Sequence, residues 1–240
     1  MKLRTTFAAA LIVMVVSALP LFAGSPVELL RTGSFHGDEV APNSAGPWFA
    51  LVFDSDGAHL QSAEVSITAE VDPLLDDEGE ASGRAVTITP PIEAVVLLRG
   101  IATLKPGRIP TALIDQTIER GDTVAVSVGP RHYTFAMHCV RHAPFDSQQQ
   151  QDCHLTLEEG TAESSLFTYL AYSDGDQMQW GSERTPMVIW AGDIDGDDRL
   201  DVLLDTSNHS NGEDTTLYLS SLAAPGQVVK SVASFASFGC

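Results

Sequence analysis

The sequence predicts an all-β protein, mainly antiparallel, folded as a sandwich or an irregular barrel with at most one short helix. Three observations predict it. Short runs rich in Val, Ile, Thr, Tyr and Phe recur along the chain, divided by Gly, Pro or acidic residues. Within several of these runs apolar and polar residues alternate, the period of a strand with one buried face. Long stretches of apolar residues at helical spacing are absent after the first 23 residues.

The opening MKLRTTFAAALIVMVVSALPLFAGS reads as a secretory signal peptide spanning 1–23. Lys2 and Arg4 form its positive start, Phe7 to Leu19 its apolar centre, and Ala23-Gly24 its small-residue exit. Ser17 and Pro20 interrupt the apolar stretch, which is shorter than the roughly 20 residues a membrane span requires. No later stretch is apolar enough to cross a bilayer, so the sequence predicts a secreted or periplasmic protein.

Residues 24–240 are long enough for one sizeable β domain. WFALVFDSDGAHLQSAEVSITAEV places two strands around DSDG, a hairpin signal. AVTITP, EAVVLLRGIATL, DTVAVSV and HYTFAMH follow, then SLFTYLAY, MVIWAGD, LDVLLD, TTLYLSS and QVVKSVASF, all strand-like. PTALIDQTIERGD (110–122) is the one stretch that reads as a short helix, with Gly121 as its stop. DPLLDDEGEASG (72–83) reads as a solvated acidic loop. HAPFDSQQQQD (142–152) is the strongest break in composition and the place where the domain could divide in two.

Charge and cysteine bound the partners. The 13 basic residues less Lys2 and Arg4, set against 32 acidic ones, give the exported chain a net charge of −21. Such a surface repels nucleic acid and anionic membrane and attracts divalent cations. Of Cys139, Cys153 and Cys240, the first two flank a polar hairpin-like segment and are expected to form a disulfide, leaving Cys240 over. The competing use of His138, Cys139, His142, Cys153 and His154 as zinc ligands is disfavoured in an oxidising compartment.

The chemistry concentrates in GDIDGDDRLD (192–201), where five aspartates lie between the apolar runs Met187–Trp190 and Val202–Leu204. Counted from Asp193, carboxylates fall at positions 1 (Asp193), 3 (Asp195), 5 (Asp197) and 9 (Asp201), while Arg199 at position 7 offers its backbone carbonyl. Alternate positions of a tight loop converge on one centre, and hard cations such as calcium take six to eight oxygens. An EF-hand or dockerin loop would need flanking helices and an acidic residue at position 12, where this chain has Leu204. AGDIDGDDRLDVLL instead resembles the FG-GAP/VCBS loop of integrin-type propellers, GDxNGDGxxDLVV, which lies between strands. That resemblance covers about fifteen residues and implies a calcium loop with ligands Asp193, Asp195, Asp197, the Arg199 carbonyl and Asp201. It does not imply a propeller, which needs several blades. The similar DSDGAHLQS has Ala58 and Ser62 at the later ligand positions and reads as an ordinary turn. The family's usual Gly at position 6 is Asp198 here, so Asp198 is expected to enter the left-handed region.

His36, Asp38 and Glu39 lie close together in GSFHGDEV, but neighbouring strand residues point to opposite faces, and no catalysis is expected there. No nucleophile or metalloprotease signature appears. NHS at 208–210 is a glycosylation sequon. The function expected is that of an exported calcium-binding β protein, a recognition module for protein or glycan or a structural module of the cell envelope or exterior. The rival is a secreted hydrolase whose calcium is structural.

Overall fold

The computed structural model describes residues 26–141, 149–174, 177–180, 185–207 and 211–239. The leader, the 142–148 segment, the 208–210 sequon and Cys240 lie outside these. In chain order the strands are β1 (Glu28–Leu30), β2 (Gly33–Phe35), β3 (Gly46–Asp54), β4 (Gly57–Glu70), β5 (Gly83–Thr89) and β6 (Val96–Arg99). Next come β7 (Gly107–Arg108), β8 (Thr111–Thr117), β9 (Thr123–Val128), β10 (Arg131–Arg141), β11 (Gln149–Glu159) and β12 (Ala162–Asp174). β13 (Gln177–Trp180), β14 (Met187–Gly192), β15 (Asp201–Asp205), β16 (Gly212–Leu219) and β17 (Lys230–Phe238) complete the series. The fold is all-β and antiparallel; among the described residues the sole helical element is a 3₁₀ turn, Pro42–Ser44.

The strands form three sheets: β1-β6-β3-β4-β5-β2 with β7 beside β4, β13-β12-β11-β10-β9, and β17-β16-β15-β14-β8. In the first, β1 and β2 stand at opposite ends although only Arg31 and Thr32 join them. A link of that length spans at most about 11 Å, so the sheet curls until its two edges approach each other. Phe235 of β17 meets Phe35 of β2 edge-on, with ring centroids 5.2 Å apart.

The third sheet is the middle layer, and its side chains alternate between two cores. Leu203, Leu217 and Leu219 join the core shared with the curled sheet. Val202, Leu204 and Tyr218 join the core shared with the β9–β13 sheet. A strand buried on both faces needs apolar residues at every position, which is why MVIWAG and DVLL read as unbroken hydrophobic runs.

The DSDG hairpin forms as expected, with Asp54 opposite Gly57. Arg108 reaches both of its carboxylates, at 2.7 Å from Asp54 Oδ1 and 3.1 Å from Asp56 Oδ2, so this turn is held by an ion-pair network. Cys139 and Cys153 face each other across β10 and β11 and are disulfide-bonded, which takes both sulfurs away from any zinc site. No helix among the described residues is long and apolar enough to cross a membrane.

One sequence expectation is overturned. The stretch 110–122 is not a helix: residues 111–117 are β8, paired antiparallel with β14 so that Ile114 lies opposite Trp190. The β-branched Thr111, Ile114 and Thr117 suit an extended chain, and the ladder to a buried strand outweighs weak local helical preference. Gly121, with φ 81°, serves the turn that follows. The 72–83 segment is the largely exposed acidic loop expected, held by its own hydrogen bonds. Asp72 is buried and accepts the amides of Leu74 and Leu75, while Asp76 Oδ2 accepts those of Asp72 and Ser82.

Candidate metal centre

The aspartate loop joins β14 to β15, the two most deeply buried strands of the middle sheet. Its two apolar residues anchor it in different cores: Ile194 in that of the curled sheet, Leu200 in that of the β9–β13 sheet. Entry to the loop depends on Gly192. A Cβ there would lie 2.0 Å from the Pro110 carbonyl oxygen and 2.5 Å from Trp190 Cζ2, so only glycine lets β14 pass so close to the start of β8. The Asp193 amide then donates to that same carbonyl at 3.0 Å.

Asp193 organises the turn. Its Oδ1 accepts the amides of Gly196 and Asp197 at 2.7 and 3.1 Å, and its Oδ2 accepts that of Asp198 at 2.9 Å. The backbone thus wraps round the first carboxylate, which brings the third and fifth positions to the same centre. Carboxylate oxygens of Asp193, Asp195 and Asp197 all lie within 4.8 Å of one another. Asp198 adopts φ 61°, the left-handed conformation expected where the resembling family carries Gly.

The other two candidate ligands sit around this group. Asp201, with no exposed surface, accepts the Ile194 amide on Oδ2 at 2.9 Å and the Ser220 amide on Oδ1 at 2.8 Å. Its carboxylate borders the three-aspartate cluster through Ser220, whose hydroxyl lies 3.0 Å from Asp201 Oδ1 and 3.0 Å from Asp197 Oδ2. Arg199 donates its amide to Asp197 Oδ1 at 2.9 Å and directs Nη1 to the Ser220 carbonyl at 3.4 Å. The structure therefore brings Asp193, Asp195 and Asp197 together and places Asp201 and Arg199 at their margin.

Electrostatics mark the group as costly by itself. Burial pushes the Asp201 carboxyl up to about 8, with repulsion from Asp195 adding to it. Burial also raises Asp195, opposed by the Ser221 hydroxyl and reinforced by Asp197 and Asp193. Asp195 is 8% exposed, and while Oδ2 accepts from Ser221 Oγ at 2.5 Å, the buried Oδ1 accepts no hydrogen bond from any described residue. A buried polar atom without a partner costs roughly 1–3 kcal/mol. A hard cation held by the three carboxylates would supply the missing partner, and an all-oxygen donor set suits calcium, magnesium or manganese.

Sequence reasoning missed the residues that hold the loop from outside: Ser220 and Ser221 after β16, Pro110 before β8, and Tyr133 of β10, whose hydroxyl accepts the Leu200 amide at 3.3 Å. Only the serine pair in TTLYLSS carried a signal, because small hydroxyl residues ending a buried strand suit contact with carboxylates. Searches against protein-family models, curated proteins and solved structures return no match. Away from this loop, His36, Asp38 and Glu39 do not form a site of their own. The Glu39 carboxylate accepts the amides of His36 and Phe238, while the His36 ring pairs through Nδ1 with Asp72 Oδ2.

Proposed function

We propose that the protein is an exported calcium-binding β module in which one ion fastens the β14–β15 hairpin between the two cores. The observation that carries this reading is the Asp193–Asp195–Asp197 cluster with its buried, unpartnered Asp195 Oδ1. The Arg199 carbonyl and Asp201 would complete the ligand set, as the loop resemblance implies. Four carboxylates exceed the charge of one divalent ion by two, which favours tight binding, and the Arg199 guanidinium offsets part of that excess. Calcium is favoured over magnesium because the loop offers many oxygens of mixed kind, whereas magnesium keeps its waters and demands strict octahedral geometry.

An ion in this place rigidifies the end of the middle sheet, where it joins elements from all three layers. The work done by the stiffened surface is recognition of a protein or glycan at the cell envelope or outside the cell. Titration calorimetry on metal-free protein tests the reading. It should show uptake of one calcium per chain, weaker uptake of magnesium, and none by Asp195→Ala at concentrations that saturate the parent. A parent protein that takes up no calcium overturns it.

A further inference from the structure

Away from the aspartate loop, the strongest uncommitted chemistry lies in a cleft of about 150 Å³ between β2, residues 71–73 and the end of β17. Its apolar walls are Phe35, Val71, Pro73 and Phe238. Val71 is 60% exposed and Phe238 67%, so their apolar surface is left to water. A cavity of this size holds a body about as large as benzene.

The cleft is built rather than incidental. Gly37 passes so close to the 72–83 segment that a Cβ would lie 2.1 Å from the Ser82 carbonyl oxygen. The Gly37 carbonyl in turn accepts Arg84 Nε at 3.0 Å, which sets the direction of the guanidinium. Buried Asp72 holds the His36 ring by Nδ1, so Nε2 is the nitrogen left for a ligand.

Two opposite charges in this cleft do not pair with each other. Arg31, Arg99, Arg108 and Arg131 each have a carboxylate partner within 4.0 Å, as expected in a chain with 32 acidic residues. Among the described residues Arg84 has none, and its terminal nitrogens make no hydrogen bond to any of them. Glu70 lines the same cleft and, among the described residues, accepts only the Ser34 hydroxyl, at 2.8 Å on Oε2, and has no cationic partner. Separated, unpaired charges of both signs beside an apolar wall are complementary to a small zwitterion with an apolar body.

We propose that this cleft binds an apolar α-amino acid, its carboxylate on Arg84 and His36, its ammonium on Glu70, and its side chain against Phe35 and Phe238. The forked guanidinium matches a carboxylate in two parallel hydrogen bonds. The site is independent of the calcium reading.

The test is calorimetry on the full exported chain in calcium, with L-phenylalanine and L-leucine as probes. Phenylacetate and phenethylamine, each keeping one charge, serve as comparisons. The expected result is saturable binding of one or both amino acids, with each single-charge analogue at least about tenfold weaker, as loss of a charge-assisted hydrogen bond implies. Glu70→Gln should weaken phenylalanine about tenfold and leave phenylacetate unchanged, while Arg84→Lys should weaken both. Asp195→Asn, whose effect is on calcium, should leave amino-acid affinity unaltered. The proposal is overturned if neither amino acid binds saturably, if phenylacetate binds as well as phenylalanine, or if Glu70→Gln has no effect.

Discussion

Withdrawing the ion at two pH values separates a metal site from an acidic turn. In the metal-free protein, burial keeps the Asp201 carboxyl protonated up to about 8. In the unfolded chain an aspartate ionises near 3.9. Between these limits the folded state holds a proton that the unfolded state has lost, so metal-free stability falls as pH rises from about 4 to about 8. About four pKa units at 1.36 kcal/mol each bound this loss at roughly 5–6 kcal/mol, and Asp195, raised in the same sense, adds to it. Calcium bound as proposed should reverse the trend. It requires ionised carboxylates, so its binding releases protons and tightens as pH rises. At a hundredfold excess over Kd the ion contributes about 2.7 kcal/mol. For a chain of this size that raises Tm by roughly 5–10 °C. The assay is calorimetric melting of metal-free and calcium-loaded protein at about pH 6 and about pH 8.5, which span the upper half of that window. The gap in Tm should be wider at the higher pH, and binding heats near neutrality should vary with the ionisation enthalpy of the buffer. A Tm gap of zero at both pH values, or one that does not change with pH, would refute the coupling of buried carboxylates to the ion.

Three further outcomes follow from the same geometry. Asp198→Gly removes a side chain from a residue at φ 61° and should stabilise the protein by about 1 kcal/mol while preserving calcium affinity, read by denaturant unfolding in calcium. Gly192→Ala forces a methyl against the Pro110 carbonyl and Trp190, and should lower stability by about 1–3 kcal/mol or more as β8 and β14 are pushed apart, measured by the shift in denaturant midpoint. Replacing Cys139 and Cys153 by serine should cost about 3 kcal/mol, the closure entropy of a loop of some 15 residues. Peptide mapping without reduction should recover these two cysteines joined.

What the chain reveals about itself depends on how local each signal is. Strand identity was legible because β-branched and aromatic residues mark extended chain, and β14 and β15 could be recognised as buried from their unbroken apolar runs. The same stretches could not reveal that they serve two cores, because periodicity reports burial and not the neighbour. The 110–122 stretch misled for a related reason: its partner, β14, pairs with it across seventy or more residues, and the pairing decides the conformation. In the candidate metal centre, the spacing of Asp193, Asp195 and Asp197 is local, since the first carboxylate binds the amides of the turn that carries the others. Ser220, Ser221 and Tyr133 belong to other strands, and only the folded topology brings them to the loop. His36 shows the limit most sharply. Its acidic neighbours in sequence, Asp38 and Glu39, suggested a local pair, but its ring partner is Asp72, brought in from the far side of β5.

The position of the loop argues for a fastening role over that of a switch. A switch needs an element that can adopt a second packing at small cost. Here the loop begins at Gly192, confined by Pro110 and Trp190, and ends at Asp201, with no exposed surface. Between them Ile194 and Leu200 are committed to opposite cores. Moving the loop as a unit would withdraw an apolar side chain from each core, at about 2–5 kcal/mol for a fully lost large aliphatic residue. Withdrawal of the ion should therefore leave the hairpin in place and loosen it, because repulsion among the carboxylates is relieved more cheaply by protonating Asp201 and Asp195 than by rearranging the strands. Amide hydrogen exchange provides the measurement. Calcium removal should speed exchange at Gly196, Asp197 and Asp198, whose amides are bound by Asp193, while the ladder between Val202 and Tyr218 stays protected. Loss of protection throughout β15 would instead show that the ion holds the middle sheet together, and the loop would then be a folding determinant and not a local fastener.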